Sequence, residues 1–114
     1  MPETLQDFKA QLFRTLAGRS RIRILELLRA SGTLTVGELQ QRLDMDSSNV
    51  SQHLAIMRAA GVVTARRDGN NVWYSVPEPA IFELLDAART VFERQAAARN
   101  QALLEESEGR SRPI

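Results

Sequence analysis

Leu5, Phe8, Leu12 and Leu16 recur at steps of three and four, the spacing that gathers apolar groups on one side of an α-helix, and predict an amphipathic first helix over residues 4–16. Gly18 punctuates it. Over residues 20–30 the apolar positions Ile22, Ile24, Leu25, Leu27 and Leu28 are too dense for a surface helix, so a second helix should be largely buried. Ser31-Gly32 closes it. Thr35 followed three residues later by Glu38 is a capping-box pattern, and Val36, Leu39 and Leu43 give a short third helix one apolar face. Asp46 offers the next N-cap. Val50, Leu54 and Met57 then stand at i, i+4, i+7 of a fourth helix, with Gly61 where a left-handed C-cap is expected. Only Asp44-Met45-Asp46 separates the third and fourth helices, a link short enough to force the sharp crossing of a helix-turn-helix.

After Gly61 the pattern changes period. VVTARR and VWYSV are β-prone runs joined by Asp68-Gly69-Asn70-Asn71, which carries the Asp-Gly signal of a hairpin. Pro77 and Pro79 close this two-stranded wing, and a long fifth helix is expected over residues 80–104. Ile81, Leu84, Ala88, Val91, Gln95, Ala98 and Ala102 alternate three- and four-residue steps along it, and Leu85 and Phe92 widen the stripe. Residues 105–114, EESEGRSRPI, are polar and read as a disordered tail. The expected fold is mainly α with a small β-hairpin, one domain over residues 1–104.

The chain has 114 residues, 43% hydrophobic and 25% charged, which suits one globular domain and not a disordered chain. No apolar run approaches the roughly 20 residues that span a bilayer, and the N-terminus lacks the basic start and apolar stretch of a signal peptide. A cytoplasmic location away from the membrane is expected. There is no cysteine, so disulfides and thiolate metal sites are excluded. The net charge of +1 predicts no polyanion partner by itself, but residues 47–76 carry three bases against one acid. One histidine, no cysteine and no phosphate-binding glycine loop leave no catalytic constellation to defend.

A helix that reads DNA must bury one face and keep the other free of bulky apolar groups. On the fourth helix, the face opposite Val50, Leu54 and Met57 falls on Ser48, Gln52, Ala55 and Ala59, flanked by Asn49 and Ser51. Gln52 can read adenine through its amide, Ser and Asn can reach bases or phosphates, and alanine allows close approach. The candidate DNA-facing set is Ser47, Ser48, Asn49, Ser51, Gln52, His53 and Arg58, with Arg66, Arg67, Asn70 and Asn71 from the wing. The paired arginines have a second reading, protection of an edge strand from aggregation. Trp73 and Tyr74 are adjacent, so one should pack under the wing and the other lie near its surface. The apolar stripe Ile81, Leu84, Leu85, Ala88, Val91 and Phe92 is a candidate for an interface between two copies.

Together LAGRSRIRILELL, TVGELQQRLDMDSSNVSQHLAIMRAAGVV and ARRDGNNVWYSV resemble the ArsR/SmtB pattern over most of the chain. The resemblance implies a winged helix-turn-helix homodimer of four helices, a two-stranded wing and a fifth helix, joined through its first and last helices, which would put Leu5, Phe8 and Leu12 at the interface beside the last-helix stripe. It also implies a double-stranded DNA operator as partner, with NVSQHL in the recognition helix. Many members of the family sense metals through cysteines in the third helix or near the N-terminus, and others through Asp, His and Glu on the last helix. Here the third-helix stretch is TVGELQQRLDM and the last helix has no histidine.

Glu83, Asp86 and Glu93 leave room only for weak carboxylate-based metal binding, and a hydrated helix face explains them better. His53 flanks the buried stripe, where it either hydrogen-bonds inside the domain or reaches a phosphate. The signal stays open between a carboxylate metal site, an apolar ligand, a separate sensor or corepressor protein, and none. A winged helix serving as a protein-interaction module is the competing function. The small polar face of the fourth helix disfavours it, since docking faces are richer in aromatic and aliphatic anchors.

Overall fold

The computed structural model describes residues 4–111 and contains five helices and three strands. In chain order these are α1 (Leu5–Leu16), α2 (Arg19–Ser31), β1 (Leu34–Thr35), α3 (Val36–Leu43), α4 (Ser47–Ala59), β2 (Thr64–Asp68), β3 (Asn71–Ser75) and α5 (Ala80–Ser111). They form two compact units, one extending to Ile81 and the other starting at Phe82.

Side-chain oxygens start the helices. Thr4 accepts from the Asp7 N–H at 3.1 Å, Thr35 from Glu38 N–H at 3.2 Å and Asp46 from Asn49 N–H at 2.9 Å, each satisfying a donor that the first turn leaves unpaired. The capping box at α3 is modified, because the Glu38 carboxylate accepts from the Thr35 hydroxyl at 3.2 Å. The end of α4 is a Schellman motif: Gly61 has φ 77°, its N–H donates to Arg58 O at 3.0 Å, and Val62 N–H donates to Met57 O at 2.9 Å. Met57 and Val62 are both buried beside that turn. Between α3 and α4, Asp44 takes the left-handed conformation with φ 53°, a region Asp tolerates better than most side chains. A three-residue link can reverse the chain there.

The core of the first unit is Ile24, Leu25 and Leu28 of α2, Leu34 of β1, Leu39 and Leu43 of α3, Val50, Leu54 and Met57 of α4, and Val62 and Val63 beyond it. Burying each aliphatic side chain contributes on the order of 1.5–3 kcal/mol, so this cluster outweighs any single cap. Ile22 departs from expectation. It is 37% exposed, because it lies off the Ile24, Leu25 and Leu28 face, and α2 is therefore half-buried rather than largely buried. Ile81, expected at an interface between copies, is itself buried within the protomer at 7% exposure.

The wing has three strands instead of two, antiparallel in the order β1-β3-β2. Leu34 pairs with Tyr74 and Thr35 with Trp73, while β2 pairs with β3 from Thr64 opposite Ser75 to Asp68 opposite Asn71. With β3 in the centre, Trp73 and Tyr74 are both half-buried, and neither is the surface residue expected of a two-stranded ribbon. The turn spans the expected Asp68-Gly69-Asn70-Asn71, with Gly69 and Asn70 at its two central positions. Gly69 alone has positive φ (63°), the pattern of a type II′ turn, and Asp68 stays in its strand.

In the second unit α5 continues to Ser111, seven residues past the expected end at Leu104. The stretch 105–111, expected to be disordered, is helical. No proline interrupts it, and Gln101 donates to Glu105 at 3.0 Å across one turn. Residues 112–114 of the expected tail lie outside the described residues. Among the described residues no helix is long and apolar enough to cross a membrane.

Leu54→Ala should cost roughly 2–5 kcal/mol of unfolding free energy, since it opens a cavity under a fully buried position. Urea unfolding followed by circular dichroism measures it, and a loss below that range would show that the core can collapse around the gap.

Candidate nucleic-acid interface

Helix α4 shows the division that its sequence predicts. Val50, Leu54 and Met57 are fully buried, and Ser47, Ser48, Asn49, Ser51, Gln52, Ala55, Arg58 and Ala59 are exposed. Ile56, at 41% exposure, is the bulky apolar residue on the exposed side, near the C-terminal end. His53 is half-buried. Its Nδ1 accepts from Arg21 Nε of α2 at 3.1 Å, and Arg21 Nη1 donates to the Thr15 carbonyl of α1 at 3.3 Å.

The exposed face is not uniformly free. Asp46 binds the Ser48 hydroxyl at 2.8 Å and the Asn49 side-chain amide at 3.1 Å, in addition to the Asn49 N–H. The Asn49 backbone bond first, then the Ser48 hydroxyl, hold the Asp46 carboxyl below its ordinary value of 3.8. It is therefore anionic at neutral pH, and its charge sits favourably at the positive end of α4. Ser48 and Asn49 are engaged in the cap, whereas Ser51, Gln52 and Ala55 lie in the open middle of the helix.

In the wing, Arg66, Arg67, Asn70 and Asn71 are all exposed. Arg66 stands opposite Trp73 and Arg67 opposite Val72, and as successive strand residues they point to opposite faces of the sheet. One flat surface cannot receive both. β2 is also an edge strand, so the protective reading of these arginines keeps its physical basis.

The first and second units each leave apolar groups in solvent. Leu5 and Phe8 of α1 are exposed and Leu12 is half-buried. On α5, Ala88, Val91 and Phe92 are exposed and Leu84 and Leu85 half-buried. Glu83 and Asp86 are exposed, and Glu93 lies 3.8 Å from Arg89 across one turn. Among the described residues no three His, Asp or Glu side chains come together in the manner of a metal site.

A helix-turn-helix domain model matches residues 16–66, which run from the end of α1 through the whole of α4 into β2. An uncharacterised HTH-type transcriptional regulator of Mycobacterium tuberculosis, Rv0081, is 52% identical over 93 residues, 81% of each chain. The chain belongs to the winged helix-turn-helix transcriptional regulators of the ArsR type. This is a DNA-binding, non-enzymatic family. The Rv0081 crystal structure superimposes with a TM-score of 0.76 at 50% identity, covering 85% of this chain and 97% of that one. A probable mercury resistance operon repressor of Streptomyces lividans is 35% identical over 98 residues, 86% of this chain and 78% of its own. HlyU of Vibrio cholerae, a transcriptional activator, superimposes with a TM-score of 0.70 at 29% identity, over 79% of this chain and 97% of its own.

Asp46→Asn keeps a capping acceptor and loses the charge, whereas Asp46→Ala removes both, so Tm at neutral pH should fall slightly for the first and clearly for the second. Because the folded pKa is lowered, the charged cap contributes fully above the unfolded value near 3.8 and is lost as pH falls through the lower folded value. Thermal melts should show the Asn variant below the unmutated chain at neutral pH, where only Asp carries the favourable charge, and converging with it in the acid limb as Asp46 is protonated. A difference confined to acid, with none at neutral pH, would contradict this cap.

Proposed function

We propose that this regulator binds an inverted-repeat operator in double-stranded DNA as a cytoplasmic homodimer, reading bases with α4 and meeting the sugar-phosphate backbone with the wing. The observation that carries this reading is the exposed face of α4, where small or polar Ser51, Gln52 and Ala55 stand above a fully buried stripe with Ile56 as the bulky apolar neighbour. That surface suits the major groove. Gln52 supplies a bidentate amide for adenine, and Ala55 leaves room for a thymine methyl. Ser47, Ser48, Asn49 and His53 lie near the helix N-terminus or flank and supply backbone contacts, with Arg58 at the other end.

The exposed Leu5 and Phe8, and separately Val91 and Phe92, are surfaces that a second copy would cover. Two-fold symmetry places the half-sites about one helical turn, roughly 34 Å, apart. Although the S. lividans relative is named for mercury resistance, a chain without cysteine offers that metal no thiolate, and we assign the signal to a non-thiol ligand or a separate sensor protein.

Gln52→Ala should lose on the order of 1–3 kcal/mol on the preferred operator and relax one position in each half-site, with little effect on random DNA. Arg66→Ala with Arg67→Ala should weaken both duplexes and flatten the salt dependence. Titrations at several salt concentrations on operator and scrambled DNA separate the two, and equal losses on both duplexes from both variants would refute these roles. For assembly, Phe92→Asp changes a side chain 71% exposed in the protomer and should convert dimer to folded monomer in sedimentation. A folded monomer of the unmutated chain at micromolar concentration would overturn the homodimer.

A further inference from the structure

Arg21 joins three helices through two of its nitrogens. Its Nη1 takes up the Thr15 carbonyl in the last turn of α1, one of the acceptors that a helix end leaves unpaired. Its Nε meets His53 Nδ1 on α4, 32 positions away in sequence. A guanidinium has only donors, so the nitrogen facing it must carry a lone pair. The imidazole in this contact is therefore neutral and holds its proton on Nε2. Among the described residues no buried polar side-chain atom is left without a partner, so Nε2–H, which has none among them, opens to solvent.

His53 lies roughly 65° from the centre of the buried stripe at about 100° per residue, on the flank of α4 and not in the middle of its exposed face. A helix seated in the major groove turns its middle to base edges and its flanks to the sugar-phosphate walls. We propose that His53 Nε2–H is a phosphate donor and that Arg21 is the positioning residue that sets its tautomer and aim. This rests on the reading of α4 as the recognition helix. The contact is sequence-independent. It also differs in kind from the wing arginines, since a neutral N–H neutralises no phosphate and releases no counterion, so its contribution is the same at every salt concentration.

The chain has a single histidine, so its imidazole 15N resonances identify themselves in the intact protein. At about pH 8, where a free imidazole is neutral, Nδ1 should appear unprotonated and Nε2 protonated in the unmutated chain. Arg21→Met, which keeps an apolar stem and no donor, should average the two. Binding is read on a duplex selected by the unmutated chain from a randomised library, and on a scrambled duplex. His53→Ala should weaken both by roughly ten- to a hundredfold, the range for a hydrogen bond to a charged group, with an unchanged salt slope. Arg21→Met should lose a similar factor, and the double variant no more than either single one.

A protonated Nδ1 in the unmutated chain overturns the proposal, as does His53→Ala without effect on both duplexes. Losses that multiply in the double variant also overturn it, because Arg21 then acts by itself. If Arg21→Met does not fold, the spectra of the unmutated chain and the His53→Ala titration decide. If the unmutated chain selects no duplex, both this proposal and the DNA reading fall, and the normal tautomer would place the fault in the DNA reading and not in the bridge.

Discussion

Helix α4 must be held rigidly by one narrow stripe while the rest of its circumference stays bare, and most of the first unit exists to meet that demand. Val50, Leu54 and Met57 are the only apolar anchors needed for it, and all three are fully buried. Three side chains on a helix of 13 residues are a small area to orient a rigid body. The ends of α4 supply the remainder: Asp46 fixes the first turn, and the Gly61 turn with buried Met57 and Val62 fixes the last. A helix clamped at both ends needs less apolar surface along its length, which leaves the exposed face free for small polar residues.

The parts of this arrangement written in local spacing were legible from the amino-acid pattern. Thr35, Asp46 and Gly61 act within three or four residues of themselves, so the α3, α4 and C-cap boundaries follow from chain chemistry alone. β1 did not follow, because two residues, Leu34 and Thr35, carry no period and gain their strand character only by pairing with Tyr74 and Trp73 some forty positions away. That pairing also moves β3 to the centre and half-buries both aromatic residues. The extension of α5 was missed for the opposite reason: polar composition argued for a tail, while the lack of a proline between residues 80 and 111 let a helix continue.

For the candidate interface, the faces were legible and the state of the side chains was not. A helical wheel assigns Ser48 and Asn49 to the exposed face, yet cannot show that Asp46 draws both into its own hydrogen bonds. It places His53 beside the buried stripe without naming Arg21, since that contact joins two helices distant in sequence. The wheel also has no counterpart for the wing, where strand alternation separates two arginines that are neighbours in the chain.

These details bear on how the proposed DNA contact would balance charge against shape. Arg58 and only one of Arg66 and Arg67, which face opposite ways, can be offered to one DNA surface, and the Asp46 carboxylate caps the same helix, so the local cationic excess is small. A salt slope near 0.9 per neutralised phosphate would then be shallow for this chain, and sequence-independent attraction correspondingly weak. With little electrostatic adhesion to random DNA, discrimination falls to contacts that exist only in register: the Gln52 amide and the close approach at Ala55. A wrong sequence then leaves buried polar groups unpaired, which costs more than a missed attraction. A nearly neutral regulator of this kind would gain its specificity by binding little elsewhere, and in the proposed homodimer a second copy of α4 one helical turn away would multiply that selectivity.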